Sequence, residues 1–319
     1  MSPDPDARDD FDLVGIGQCS IDHVCRVDGI PAVGGKAAML GYELLPGGQI
    51  ATALLAAARL GLRTAYVGSV GSDAIAEFVL APLAAAGVDL AGVRRVAAAT
   101  TRLAVILVDR ASGERTVLGH RDPRVCLTVA DVPEARIARA RCLLVDAEDP
   151  EVSRAAARFA RSRGVPVVAD VDAPGPGVEA LLAAVDFPLV SRAFAETIAR
   201  DGTIRGGLDR LVQLGARMAV ATLGDRGCLS RVGDREIASP AFRITPRDTT
   251  GAGDAFHAAF AWGVLEGLSG ERLLRTANAA AALACRGVGA QGELPTRSEL
   301  ETFLREREPG PWRDPELRS

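Results

Sequence analysis

The stretch Asp248-Thr249-Thr250-Gly251-Ala252-Gly253-Asp254 opens an Ala-rich run that reads as a helix from Gly251 to Glu266. Gly251 and Gly253 leave backbone N–H groups unhindered at a helix start. Those donors and the positive end of the helix dipole form an anion site suited to a phosphate. A carboxylate in the first turn is comfortable there, so Asp254 has two readings. It is an ordinary helix-start aspartate, or an acid beside an anion hole that takes the proton from an attacking hydroxyl while the hole holds the phosphoryl group. Asp22, in Ser20-Ile21-Asp22-His23, can accept hydrogen bonds from vicinal hydroxyls or cap a turn. Lys36 is the only lysine in a chain whose other basic residues are all arginine. It serves either as a compact ammonium for an anionic substituent or as a solvated charge. Asp170 and Asp172 follow a strand pattern, at the strand end where open sheets bind ligands. They read equally as solvated loop carboxylates.

The elements that must position these groups alternate. Apolar runs at Phe11–Gly17, Thr64–Val70, Cys142–Asp146, Val165–Asp170, Phe187–Ser191 and Met218–Thr222 fit buried strands. Helical patterns at Ile50–Leu60, Asp73–Ala86, Glu151–Arg163, Leu208–Leu214, Gly251–Glu266 and Glu271–Arg286 separate or follow them. That order predicts an α/β fold on a mainly parallel sheet. Two strand-rich stretches, Val24–Leu45 and Val93–Gly119, predict a small second sheet, with a hairpin turn at Ser112-Gly113.

Composition narrows the class. Hydrophobic residues make up 48% of 319, enough for a substantial core. A net charge of −4 without a long basic run argues against nucleic acid as a partner. No uncharged apolar stretch approaches the roughly 18 residues of a membrane span. The six cysteines form no C-x-x-C pair and the histidines number three, which argues against a zinc centre. Reduced, buried cysteines and a cytoplasmic location are the expectation. No G-x-x-x-x-G-K-[ST] sequence is present, and Ser20 stands where G-x-G-x-x-G needs its third glycine, so P-loop and Rossmann readings fail.

Asp248–Asp254 resembles the C-terminal signature of the ribokinase (PfkB) family of carbohydrate kinases. Gly47-Gly48-Gln49, Tyr66–Asp73 and Thr222–Gly227 resemble further family segments in the same order. Gly34-Gly35-Lys36 and Ala51-Thr52-Ala53 are nearest to the sulfofructose kinase-like branch. The resemblance implies a three-layer α/β/α ribokinase-like domain over residues 11–305 with a small β-sheet lid at about 23–46 and 94–120. Residues 1–10 and 306–319 would be disordered tails. It implies Asp254 as catalytic base, with Gly251, Ala252 and Gly253 as the anion hole. Asp22, Gly47, Gly48 and Thr52 would face the sugar, with Lys36 and Arg121 as candidate cations for an acidic acceptor. Thr52 stands where the family often has Asn, and Gly119 and Glu148 stand where a sulfonate would want polar or basic partners. Thr222, Gly224, Gly227 and Asn278 would line the ATP site. Asp248 and Thr250 match positions that hold a monovalent cation such as K⁺ in some relatives. The family's Asn-x-x-Glu motif is replaced by Ser191-Arg192-Ala193-Phe194, which leaves Asp170 or Asp172 to hold Mg²⁺ through water. The implied activity is ATP-dependent phosphorylation of a sugar, ketose or sugar acid by a homodimer joined through the lid. The alternatives are a nucleoside kinase and a non-catalytic sugar-binding regulator of the same fold.

Overall fold

Successive side chains of a strand point to opposite faces, and the core follows that rule from the first strand on. Leu13 packs into the hydrophobic cluster on one side of the sheet and Val14 into the cluster on the other. Cys142 and Leu143 repeat the pattern. Strands buried on both faces read as continuous apolar runs, which is why they stand out in the sequence. The computed structural model describes residues 10–111, 115–310, 312 and 314. The Ser112-Gly113 turn and residues 1–9 lie outside the described residues.

The strands, in chain order, begin with β1 (Phe11–Ile16), β2 (Ser20–Val27), β3 (Met39–Gly47), β4 (Thr64–Gly71), β5 (Asp89–Val96), β6 (Leu103–Asp109) and β7 (Arg115–His120). They continue with β8 (Ala140–Asp146), β9 (Val167–Val171), β10 (Phe187–Ser191), β11 (Ala219–Thr222), β12 (Cys228–Val232) and β13 (Arg235–Ser239). A nine-stranded sheet has the order β13-β12-β11-β10-β9-β8-β1-β4-β5. Its neighbours from β11 to β5 are parallel, and β12 and β13 form an antiparallel edge. Helices Gln49–Arg59, Ala74–Ala85, Ala252–Leu265 and Gly270–Ala284 cover one face. Pro150–Ser162, Val178–Leu182, Arg192–Ile198 and Ile204–Gln213 cover the other, giving three layers. From β1 the chain builds the sheet first toward β5 and then, from β8, in the opposite direction. The crevice at the C-terminal ends of β1 and β8 is therefore the switch point where such sheets bind ligands.

A four-stranded sheet of order β3-β2-β6-β7 makes the lid. It is rooted at the switch point, where Ser20 pairs with Gly47. Residues 94–96 belong to β5 at the edge of the large sheet and not to the lid, because β5 pairs with β4 through Val96. The lid also starts earlier and ends later than the expected 23–46, at Ser20 and Gly47. The segment after Glu306 is not loose over its described part. The Gly310 amide donates to Ala241 O, Trp312 packs against the core, and Asp314 pairs with Arg205 at 2.8 Å. A C-terminal helix, Arg297–Glu306, is opened by a capping box between Thr296 and Glu299. Among the described residues no helix is long and apolar enough to cross a membrane. All six cysteines are free.

Gly48 lets the chain turn from β3 into the helix Gln49–Arg59. Its φ is +97°, and a Cβ would lie 2.6 Å from Cys19 Cα and 2.8 Å from Gln18 O. Gly48→Ala is expected to cost about 1–3 kcal/mol, since the strained φ and the backbone clash have no flexible side chain to absorb them. Urea unfolding checks this. A midpoint equal to wild type at unchanged slope contradicts it.

Candidate active site

Carboxylates gather where the parallel strands end. Asp146 closes β8 and is buried. It accepts from the Gln18 amide at 2.7 Å and the Glu148 amide at 3.1 Å. Asp170, in β9, is buried beside His257, whose Nδ1 lies 3.1 Å from Asp170 Oδ2, in poor alignment for a hydrogen bond. His257 and Asp254 lie one turn apart on helix Ala252–Leu265, so both face the strand ends. Ligand atoms of Asp170, Asp254 and His257 all fall within 4.8 Å of one another.

Asp254 is half-buried by surface area yet deeply enclosed by protein. Lost hydration, then the charge of Asp170, hold its carboxyl well above the usual carboxylate range, against the opposing pull of His257 and Arg115. His257 shows the mirror effect. Burial alone would lower its pKa, but Asp170 and Asp254 raise it. Asp146 is pushed up to about 7, first by burial and then by Glu148 and Asp170, although the Gln18 amide favours its charged form.

Before Asp254 the helix start is held open. Gly251 has φ +79°, and a Cβ there would sit 2.7 Å from Ala290 Cα. Among the described residues no protein acceptor engages the amides of Gly251 or Gly253, while that of Ala252 turns back to Thr249 O at 3.3 Å. Asp248 Oδ1 accepts from the Thr250 amide and Oδ2 from the Gly289 amide, both at 2.8 Å. Burial would raise its pKa, but these amides hold it below the ordinary value. A monovalent cation at Asp248 and Thr250 would have to share those oxygens.

Across the cleft, Asp22 is buried at the lid root and takes the Ser20 hydroxyl on Oδ1 at 2.9 Å. Gly47 packs on this carboxylate so closely that a Cβ would lie 2.6 Å from Asp22 Cγ. Thr52 is buried and accepts from Gln291 Nε2 at 3.4 Å. Arg121 is committed to Asp149 and to Glu148 O at 3.3 Å. Lys36 is not brought to this group. It sits in the exposed loop beyond the Val27–Met39 pair, at the opposite end of the β2–β3 ladder from Ser20 and Gly47. That tip is where the hairpin must reverse, so a lysine singled out by its rarity and by the lid resemblance is carried away from the carboxylates.

On the other flank Thr222 ends β11, with Gly224 (φ +61°) and Gly227 (φ +94°) in the turn that follows. Asn278 is buried and donates to Ser239 O and Oγ, both at 3.0 Å, bracing the end of β13. Ser191 caps helix Arg192–Ile198, and Phe194 is a buried core residue, so no acid is available at the fourth position of that motif.

Sequence reasoning missed several members. His257 was readable as lying three residues after Asp254, but its contact with Asp170 is long-range. Arg115, on β7, donates to Thr250 Oγ1 at 3.2 Å and ties the lid to the helix-start loop. Arg102 forks onto Glu148, with Nη2 at 2.9 Å from Oε1. No local pattern announces either arginine.

The residues present suit ATP and magnesium. The free helix-start amides suit a phosphate. Asp146, Asp170 and Asp172 offer the hard oxygen donors that Mg²⁺ prefers, and the raised Asp146 and Asp254 mark crowded negative charge that a dication relieves.

An acid set against a glycine-opened helix start faces a second acid at the root of a β lid, an arrangement that suits phosphoryl transfer to a hydroxyl. The sequence model of the pfkB family carbohydrate kinases matches residues 10–297, and the chain belongs to that family. It is 31% identical to the ribokinase of Bacillus subtilis over 91% of this chain and 98% of that protein. A crystal structure of a putative ribokinase from Agrobacterium tumefaciens superposes with a TM-score of 0.82 at 28% identity, covering 92% of this chain and 97% of that one. The structure of Arabidopsis thaliana ribokinase complexed with ribose and ATP gives 0.78 at 25% identity, covering 92% and 98%. The fold is ribokinase-like, and the chain is a phosphotransferase that acts on a sugar hydroxyl.

Asp146 also sets a pH dependence. Its folded pKa near 7 exceeds the ordinary value of 3.8, so the folded state holds a proton that the unfolded state has released. That stabilisation is complete below the unfolded pKa and is lost as pH rises through about 7. In magnesium-free buffer the melting temperature is expected to fall from pH 5.5 toward pH 8, and Asp146→Asn is expected to flatten that slope. A melting temperature that rises across the window contradicts the assignment.

Proposed function

We propose that the chain transfers the γ-phosphoryl group of Mg-ATP to a hydroxyl of a small neutral sugar, with Asp254 as general base. The observation that carries this reading is the enclosed Asp254 carboxylate beside the unengaged amides of Gly251 and Gly253. Asp254 accepts the proton of the attacking hydroxyl as its oxygen bonds to phosphorus and the bond to the ADP oxygen breaks. The Gly251 and Gly253 amides hold the transferring oxygens, while the Ala252 amide is engaged by Thr249 O and shapes the turn. Arg115 adds a positive charge from the lid at the same loop. Asp22 accepts from sugar hydroxyls, with Gly47, Gly48 and Thr52 completing that wall.

Thr222, Gly224, Gly227 and Asn278 line the nucleotide side. Asp170, with Asp146 and Asp172, would hold magnesium, which when bound would supply charge neutralisation on the triphosphate. The acceptor is neutral because the other cations near its side are paired or remote, and Arg115 faces the phosphoryl loop at Thr250. Arg102 is forked to Glu148 and Arg121 to Asp149, while Lys36 lies at the far end of the hairpin. The ribokinase name of the relative supports a pentose or a similar ring.

We also propose a homodimer through the lid. Leu40, Tyr42 and Leu44 share one face of β3 by their period of two and are exposed, as are Val117 and Leu118 on β7.

Asp254→Asn preserves volume and helix start. It is expected to bind ATP normally and to lower kcat by roughly 10²–10⁴. Turnover near wild type sinks the assigned role. Asp22→Ala is expected to raise KM for the acceptor far more than for ATP, whereas Lys36→Ala leaves both unchanged. Equal rises for the two substrates in Asp22→Ala make that residue structural, and a selective loss of an acidic acceptor in Lys36→Ala contradicts the neutral-acceptor reading.

A further inference from the structure

On the side of the molecule away from the lid, three helices enclose a groove of about 570 Å³. Trp262 comes from the end of helix Ala252–Leu265, Arg272, Arg275 and Thr276 from Gly270–Ala284, and Arg297 and Arg305 from Arg297–Glu306. Four guanidinium groups face two carboxylates, Glu266 and Glu301. Both carboxylates are taken by Arg297, at 3.5 and 2.9 Å. Arg275 spends itself on the carbonyls of Leu304 and Arg307 and on Glu308. Among the described residues Arg272 and Arg305 have no carboxylate partner, and both are exposed. The chain as a whole carries −4, so this local excess of positive charge runs against its composition.

A second observation points the same way. The indole Nε1–H of Trp262 and the Nε–H of Arg275 are buried and have no hydrogen-bond partner. A buried donor left unpaired is costly, and the Trp262 Nε1–H, on a side chain that is almost wholly buried, calls for an acceptor that the described chain does not supply. Indole and guanidinium groups donate and never accept, and the charge of Arg272 and Arg305, unmatched by carboxylates, favours an anion over a neutral polyol. Forked guanidinium groups match the oxygens of a phosphate. Arg297 lies over the Trp262 ring at 5.3 Å, so that ring face is covered and offers no platform for a stacked base. The volume suits a small molecule and not a macromolecular surface.

We infer that this groove is a binding site for a small phosphate ester, separate from the phosphoryl-transfer site. Helix Ala252–Leu265 begins at the anion-hole glycines and ends at the groove. Its 14 residues separate the two sites by roughly 20 Å along the axis.

The test uses the full chain. Trp262 and Trp312 are its two tryptophans, so Trp312→Phe leaves Trp262 as the sole indole reporter. Titration with inorganic pyrophosphate, without magnesium, is expected to change Trp262 emission saturably, with inorganic phosphate weaker. Combining Arg272→Glu with Arg305→Glu is expected to raise the midpoint by at least about tenfold, the scale of one lost charge-assisted hydrogen bond. Arg272→Ala with Arg305→Ala gives the same readout without new carboxylates, and circular dichroism checks that both forms are folded. A midpoint unmoved in either folded double variant places the response elsewhere, at the transfer site, and overturns the inference. So does an emission change that never saturates or that sodium chloride reproduces at matched ionic strength.

Discussion

The structure is organised around a surplus of negative charge at one end of its sheet. Asp146, Asp170 and Asp254 converge there with little protein cation to balance them, and His257 sits against Asp170. Carboxylates crowded in a poorly hydrated crevice resist ionisation, and the raised pKa values of Asp146 and Asp254 record that cost. Evolution usually removes such frustration unless something bound relieves it or a reaction uses it. A triphosphate carried with a hard dication does the first. A base that must take a proton from an alcohol is the second. The lost Asn-x-x-Glu acid does not empty this end of the sheet of carboxylates, because three remain on or just after β8 and β9.

The remaining architecture serves to keep that crevice shaped. Gly47 and Gly48 let β3 turn beneath Asp22, and Gly251 lets the last loop reach the helix without a side chain against Ala290. Asp248 fastens this loop to the Gly289 amide. Arg115 reaches down from β7 to Thr250, so the lid touches the same loop that holds the helix start open. The two arginines nearest the acceptor wall are locked to Glu148 and Asp149, which makes them struts and not free anion receptors.

Much of this was legible in the residues. The parallel strands were readable because burial on both faces makes them apolar throughout, and Asp254, Gly251 and Gly253 because a helix start has a strict local chemistry. Asp22 was found by resemblance more than by pattern. What escaped shares one physical cause: it depends on chain segments distant in sequence. The Asp170–His257 contact joins a strand to a helix, and Arg115 and Thr250 are joined only by the lid's fold. Lys36 misled in the opposite way, because its rarity drew attention to a position that the β2–β3 register carries away from the site. The docked Trp312 was hidden by a proline-rich, charged composition that resembles a loose end, and the helix Arg297–Glu306 went unread although its residues up to 305 fall within the expected domain.

The central claim is that this crevice moves a phosphoryl group from ATP to a neutral sugar hydroxyl. ³¹P NMR of the wild-type chain with ATP, magnesium and a panel of pentoses, hexoses, sugar acids and nucleosides tests it most directly. The account predicts a new phosphomonoester resonance, matched by ADP, with at least one neutral sugar and none when the acceptor is omitted. ATP left intact with every neutral sugar, or a phosphomonoester formed with sugar acids or nucleosides alone, would contradict it.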